Sequence, residues 1–185
     1  NKRRIFSGVD NDEVSVCVAW HTSGVAKFED VLAKELTVGS TGVADDTYQF
    51  PRFVNNTLGT RMKIITGYPG GNDVSLALER GGRCGWSWSS VKSIRAAWVA
   101  EKKINLLVLA ALEKSAEFPG VPAVLDLVAK PEDRQLLELM VGPTAMARPF
   151  AAPPGLPASR AALIRRAFDA TMQDPEFRAE ALRIQ

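Results

Sequence analysis

The stretch Gly67-Tyr68-Pro69-Gly70-Gly71-Asn72-Asp73 decides the fold. The apolar segment Met62-Lys63-Ile64-Ile65-Thr66 leads into it, and a helical pattern over 74–80 leaves it. Strand, glycine loop and helix in succession form the building unit of α/β sheets. Glycines let backbone N–H groups approach a ligand closely, and a helix start adds a partial positive charge. A little further on, Arg83-Cys84-Gly85 reads as a short strand that ends in Trp86-Ser87-Trp88-Ser89-Ser90, a source of stacking surface and hydroxyl donors. The arrangement points to a pocket that holds a small anionic molecule without transforming it.

The same unit occurs once before. A strand over 35–39 runs into Ser40-Thr41-Gly42-Val43-Ala44-Asp45-Asp46, and a helix follows through Tyr48, Phe53, Val54 and Leu58. Pro51 is expected to kink or restart that helix, and Gly59 to end it. Both loops follow the C-terminal ends of strands, where ligands of open α/β sheets bind. Neither carries the Gly-Lys-Ser/Thr of a phosphate-binding loop, and neither is a Gly-x-Gly-x-x-Gly dinucleotide fingerprint. The plain structural reading of each is a turn in which Asp45 or Asp73 caps a helix.

Outward from these units, 14–20 and 104–110 read as further strands, the second an apolar run typical of a buried parallel strand. A helix over 28–34 places Phe28, Val31 and Leu32 on one face, and one over 91–102 turns Ile94, Ala97 and Trp98 inward. Phe118-Pro119-Gly120-Val121-Pro122 is a turn region. Pro131 starts a helix to Val141 with two acids in its first turn. Residues 148–155 form an extended connector. A helix over 157–172 carries the stripe Leu163, Ala167, Phe168 and Met172, and Asp174-Pro175 starts the last helix. The expected architecture is a mostly parallel sheet flanked by helices.

Composition narrows the function classes. With 185 residues, 46% hydrophobic, the chain is long enough for one domain or two small lobes. The net charge of +2 comes from scattered groups, and Lys2-Arg3-Arg4 is a short solvated end rather than a nucleic-acid arm. No apolar run approaches the roughly 20 residues of a membrane span, so the chain is not expected to be membrane-embedded. No signal peptide is visible, and the abrupt beginning, on the lead into a strand, reads as that of a fragment. Cys17 and Cys84 are either two small buried residues or a disulfide. They lack metal or redox spacing, so neither metal nor cofactor is expected. His21 is the single histidine. A Cys17–His21 enzyme is conceivable, but no nucleophile, base and orienting group come as a set.

Four stretches taken together resemble one family: 15–25 (Ser-Val-Cys-Val-Ala-Trp-His-Thr-Ser-Gly-Val), 46–52 (Asp-Thr-Tyr-Gln-Phe-Pro-Arg), the loop 67–73, and 82–90 (Gly-Arg-Cys-Gly-Trp-Ser-Trp-Ser-Ser). Residues 148–155 and 169–172 resemble the C-terminal signature of the same family. These are the substrate-binding proteins of tripartite tricarboxylate transporters, the TctC-like or Bug-type extracytoplasmic receptors. The resemblance implies a type II periplasmic-binding-protein fold, a two-lobed Venus flytrap. It also implies a periplasmic location, a small carboxylate ligand held by backbone amides and water, and delivery to the permease subunits of a transporter. Family chains are longer, so most of the first lobe is expected to be absent. They also carry a few more residues where Arg80-Gly81-Gly82-Arg83 stands. The implied division is 1–13 as a remnant of the first lobe, 14–103 as the ligand-binding lobe, and 104–185 as return strand, connector and C-terminal helices. The implied ligand contacts are Ser40, Thr41 and Gly42, then Tyr68, Gly70, Gly71, Asn72 and Asp73, then Trp86, Ser87 and Trp88. Citrate-like acids, dicarboxylates, amino acids and aromatic acids all fit, and Tyr68, Trp86 and Trp88 favour a ligand with an apolar part. A sensory or orphan module of the same fold is the main alternative. A lone lobe should bind weakly or not at all, and 148–185 should leave apolar surface exposed.

Overall fold

The computed structural model describes residues 4–8, 14–80, 84–90, 94–146 and 149–184. Its strands are β1 (Arg4–Gly8), β2 (Ser15–Trp20), β3 (Leu36–Ser40), β4 (Met62–Thr66), β5 (Cys84–Ser90), β6 (Ile104–Ala110) and β7 (Pro149–Ala152). Its α-helices are α1 (Asp30–Ala33), α2 (Asp46–Leu58), α3 (Gly71–Glu79), α4 (Ala96–Ala100), α5 (Pro131–Val141), α6 (Ala158–Gln173) and α7 (Pro175–Ile184). Short 3-10 turns lie at Val124–Leu127 and Gly142–Met146. Two compact units result: one from Asn1–Asp12 with Met146–Gln185, the other from Glu13–Ala145.

The larger unit is built on a five-stranded sheet in the order β4-β3-β5-β2-β6. Every residue of β2 is buried, because successive side chains enter cores on opposite faces. Cys17 and Ala19 join Val31, Leu36, Val38, Phe50, Val54, Val108, Leu137 and Val141 on one face. Val16, Val18 and Trp20 join Val74, Leu78, Trp98, Ile104 and Leu109 on the other. Trp20 and Trp98 meet edge to face with ring centroids 5.3 Å apart.

The α/β class holds, but the sheet is mixed where a mostly parallel one is expected. β3 pairs in parallel with β4 and β5, whereas β2 runs antiparallel to both β5 and β6. The apolar run of β6 therefore does not mark a parallel strand. It is apolar because it feeds both cores from the sheet edge, while Leu109 N–H donates to the Pro122 carbonyl at 2.9 Å on its outer side. Each antiparallel pair of β2 carries a register shift, one between Val16 and Val18 and one between Cys17 and Val18. Such bulges add twist to the strands that bear them.

Local signals are met with small changes. α2 runs without a break through Pro51, which is buried beside Phe50 and Val54. Proline removes one backbone donor, and the buried ring supplies apolar contact in its place. Gly59 closes α2 in the left-handed conformation (φ 71°), its N–H donating to the Asn55 carbonyl at 3.1 Å. The Asn55 side chain locks the exit of α2 onto β4. Its Oδ1 accepts from Thr60 Oγ1 at 2.6 Å and from Met62 N–H at 3.0 Å, and its Nδ2 donates to the Met62 carbonyl at 2.7 Å. α1 is shorter than expected and leaves Leu32 exposed, while Phe28 and Val31 are buried. α4 buries Trp98 and exposes Ala97, and residues 91–93, expected to begin this helix, lie outside the described set. Arg83, expected in the strand, and residues 1–3 also lie outside it.

The smaller unit joins the two ends of the chain. β1 pairs antiparallel with β7, so the connector is a paired strand over Pro149–Ala152. α6 and α7 complete the unit, with the Phe150 and Phe168 rings 5.2 Å apart. Asp174 caps α7, accepting from Phe177 N–H at 2.9 Å. Of the expected stripe on α6, Phe168 and Met172 are half-buried, while Leu163 and Ala167 are exposed. Ile164, Phe150, Phe177 and Leu182 are exposed too, so this segment presents apolar surface as expected.

Candidate functional site

The parallel register of β3 and β4 brings the two glycine-bearing loops together. Gly39 lies opposite Ile65 and Ser40 opposite Thr66, so both strands deliver their loops at the same sheet end. Tyr68 N–H donates to the Ser40 carbonyl at 3.3 Å, joining the loops directly. Gly67 takes φ 103°, a conformation L side chains rarely adopt, and this turns the chain toward α3. Gly39 is needed for a different reason. A Cβ there would lie 2.7 Å from Val74 Cγ1 and 3.2 Å from Tyr68 Cε2. Its missing side chain lets Tyr68 and the first turn of α3 press onto β3.

Neither expected aspartate cap forms. α2 begins at N-cap Asp45 and α3 at N-cap Gly70, and neither N-cap residue caps its helix with its side chain, although in α2 Asp46 Oδ1 accepts from Thr47 N–H at 2.7 Å. Asp73 sits within the first turn of α3, where its own N–H donates to the Gly70 carbonyl at 3.1 Å. The Asp45 carboxylate turns away from the helix and accepts from Thr41 Oγ1 at 2.7 Å. Two helix starts thus lie at the ends of adjacent parallel strands, that of α3 without a side-chain cap and that of α2 with Thr47 N–H held by Asp46. The leading N–H groups of a helix have no intrahelical acceptor and carry the positive end of its dipole.

Thr47, which the sequence reading passed over, ties the first loop together. Its Oγ1 lies 3.2 Å from Thr41 N, 3.2 Å from Ser40 Oγ and 3.1 Å from Thr41 Oγ1. Ser40 is fully buried and also accepts from Gly42 N–H at 3.3 Å. Thr41 and Gly42 are half-buried, as are Tyr68 and Gly70, whereas Gly71, Asn72 and Asp73 are exposed. The signal available in the sequence was a Ser-Thr pair followed, at the second residue of the next helix, by a second threonine.

β5 places the third candidate group. It runs parallel to β3 with Thr37 opposite Cys84 and Val38 opposite Gly85, so its later residues advance toward the same sheet end as the loops. The Trp-Ser cluster lies inside this strand rather than after it. Its backbone pairs with β2, Trp86 against Val18 and Ser89 against Val16. The side chains of Cys84, Trp86, Ser87 and Trp88 lie outside the described residues.

Cys17 and His21 are not brought together. Cys17 is a free, fully buried thiol, and burial raises its pKa from 9.0 to about 12. The disulfide with Cys84 that the sequence left open is therefore not made. His21 is exposed beyond β2, about 13 Å along an extended chain from Cys17. Because β2 runs against β3 and β5, His21 lies at the sheet end opposite the glycine loops. Nearby, Ala26 N–H and, next in strength, Lys27 N–H donate to the exposed Asp30 carboxylate, and both hold its pKa below the usual range. Among the described residues no group of three or more His, Cys, Asp or Glu could hold a metal ion. No helix among them is long and apolar enough to cross a membrane.

No protein-family profile matches the sequence, and no curated protein matches it. Solved structures do match. A TctC solute-binding protein from Polaromonas, without ligand, aligns over 89% of this chain and 64% of its own, with TM-score 0.53 and 14% identity. R. palustris Rpa4515 with adipate aligns over 95% of this chain and 57% of its own, with TM-score 0.62 and 12% identity. The periplasmic binding protein BugD aligns over 91% of this chain and 54% of its own, with TM-score 0.60 and 12% identity. The chain thus spans less than two thirds of the length of each. At this level of identity the likeness establishes the fold, and this chain has the α/β fold of the periplasmic-binding-protein-type solute receptors that its motifs resemble.

Proposed function

We propose that this chain is the greater part of an extracytoplasmic solute-binding protein. It captures a small carboxylate at the C-terminal ends of β3 and β4 for the permease of a tripartite tricarboxylate-type transporter. The observation that carries the reading is the meeting of the two loops at one sheet end, joined by the Tyr68–Ser40 hydrogen bond, with the start of α3 left without a side-chain cap. Backbone N–H groups at such termini suit an anion. Ser40, Thr41, Gly42, Tyr68, Gly70, Gly71, Asn72 and Asp73 form the ligand-facing loops, with Trp86, Ser87 and Trp88 of β5 beside them. The chain is not an enzyme on this reading, and the Cys17–His21 pair is separated, with Cys17 in the core and His21 at the far end of the sheet. The Rpa4515 neighbour holds adipate, which supplies the first ligand to try.

Titration of the 15N-labelled chain with adipate, at constant ionic strength, tests the proposal. The amides of Thr41, Gly42, Gly71 and Asn72 should shift together at millimolar adipate, with those around His21 unmoved. Acetate should do less, because it engages one carboxylate site only. Shifts confined to the His21 end, with any member of a panel of mono-, di- and tricarboxylates, would refute it.

A further inference from the structure

We infer that Asp45 and Thr47 are positioning residues that keep the hydroxyl hydrogens of the Ser40–Gly42 loop within the 40–47 segment, so that neither Ser40 nor Thr41 offers an O–H to the ligand. Each hydroxyl has one hydrogen and two acceptor lone pairs. A carboxylate can only accept, so the Thr41 hydrogen goes to Asp45 Oδ2 at 2.7 Å. In the 3.1 Å contact between Thr41 and Thr47, Thr41 Oγ1 can then only accept, and the Thr47 hydrogen goes either to it or to Ser40 Oγ at 3.2 Å. Thr47 Oγ1 has no hydrogen left, and it accepts from Thr41 N–H at 3.2 Å. The Ser40 hydrogen has two acceptors, Thr47 Oγ1 at 3.2 Å and the Gly42 carbonyl at 3.3 Å, and both lie within the loop.

The negative charge of Asp45 therefore anchors a chain of three hydroxyls, all turned inward. Asp45 can do this because its carboxylate is not used as a helix cap. Resting on the carboxylate-binding reading, this moves Ser40 and Thr41 from ligand donors to loop-shaping groups. The Thr41 and Gly42 N–H groups are likewise used inside the loop, on Thr47 Oγ1 and Ser40 Oγ, so discrimination among ligands falls to the start of α3 that this loop supports.

Amide hydrogen exchange on the free chain tests the relay without any ligand. In Thr47→Val, which keeps the shape and loses the hydroxyl, the Thr41 and Gly42 amides should exchange about tenfold faster. Thr47→Ser should restore the original rates. Asp45→Ala should accelerate the same amides severalfold in the native background, but by less than twofold in the Thr47→Val background. An Asp45→Ala effect of equal size in both backgrounds would mean that its charge acts directly, and would overturn the relay. Unchanged exchange in Thr47→Val would overturn it as well. Adipate added in a second arm reports separately: adipate shifts confined to the His21 end count against the binding reading, while the exchange results decide the relay.

Discussion

Gly39→Ala measures how tightly the first turn of α3 and Tyr68 are pressed onto β3. The new methyl would sit 2.7 Å from Val74 Cγ1 and 3.2 Å from both Val74 Cγ2 and Tyr68 Cε2. Carbon atoms pack at about 3.5–4.0 Å, so Val74 would have to retreat by close to 1 Å. Val74 is buried in the core between α3 and the sheet, where such overpacking costs about 1–3 kcal/mol. Gly39 is absent from the positive-φ positions, so alanine can adopt its backbone, and the stiffer unfolded chain returns about 0.4–1 kcal/mol. The net expectation is a loss of about 1–2 kcal/mol, read as a fall of roughly 3–6 °C in melting temperature or as a lower urea midpoint. Val74→Ala alone should cost about 2 kcal/mol through the space it leaves. In the double variant the new methyl occupies part of that space, so the combined loss should fall about 1–2 kcal/mol short of the sum. Gly71→Ala is the control: a Cβ there meets no atom within 4 Å, and the variant should be neutral or slightly stabilised. A Gly39→Ala chain as stable as the parent, with a cycle additive to within about 0.3 kcal/mol, would refute the close approach.

Four further outcomes follow from contacts elsewhere in the chain. Asn55→Ala removes three hydrogen bonds that fasten α2 to Thr60 and Met62; it should cost about 2–3 kcal/mol in chemical denaturation, with Asn55→Asp recovering only part. Cys17 should resist alkylation at neutral pH in the folded chain and react once it is unfolded, as mass spectrometry of its peptide would show. Because its folded-state pKa, about 12, lies above the unfolded 9.0, its contribution to stability is complete below pH 9 and is lost as pH rises toward 12, and Cys17→Ala should remove that part of the alkaline slope. Asp30 has a folded-state pKa below its unfolded value, so its contribution is present above the unfolded carboxylate range and lost as pH falls through the folded pKa; Asp30→Asn should flatten the acid limb of the melting temperature slightly.

Local pattern was sufficient for most of the elements, because burial imposes a period that single residues display. The β-branched run at β2, the strand–glycine–helix unit around Gly67, the left-handed Gly59 and the Pro131 start of α5 are all readable one segment at a time. The two candidate loops were likewise legible as glycine stretches after strands. What local pattern could not carry was pairing. Ser15 lies opposite Ala110, and Arg4 opposite Ala152. A strand buried on both faces looks equally apolar whichever way its neighbour runs, so the antiparallel placement of β2 and the edge position of β6 had no local mark. The same holds for hydrogen-bond partners. Asp45 and Asp73 stand where caps usually stand, yet only the folded loop decides that Asp45 turns to Thr41 and that Thr47 meets Ser40. The sequence by itself determined which segments would be strands, helices and glycine loops, since those depend on residues within a turn or two of one another. Tertiary structure alone decided that β2 runs against β5 and β6, and that Arg4–Gly8 pairs with Pro149–Ala152 in one unit. Those outcomes rest on contacts between distant residues, whose free energy exists only once both partners are in place.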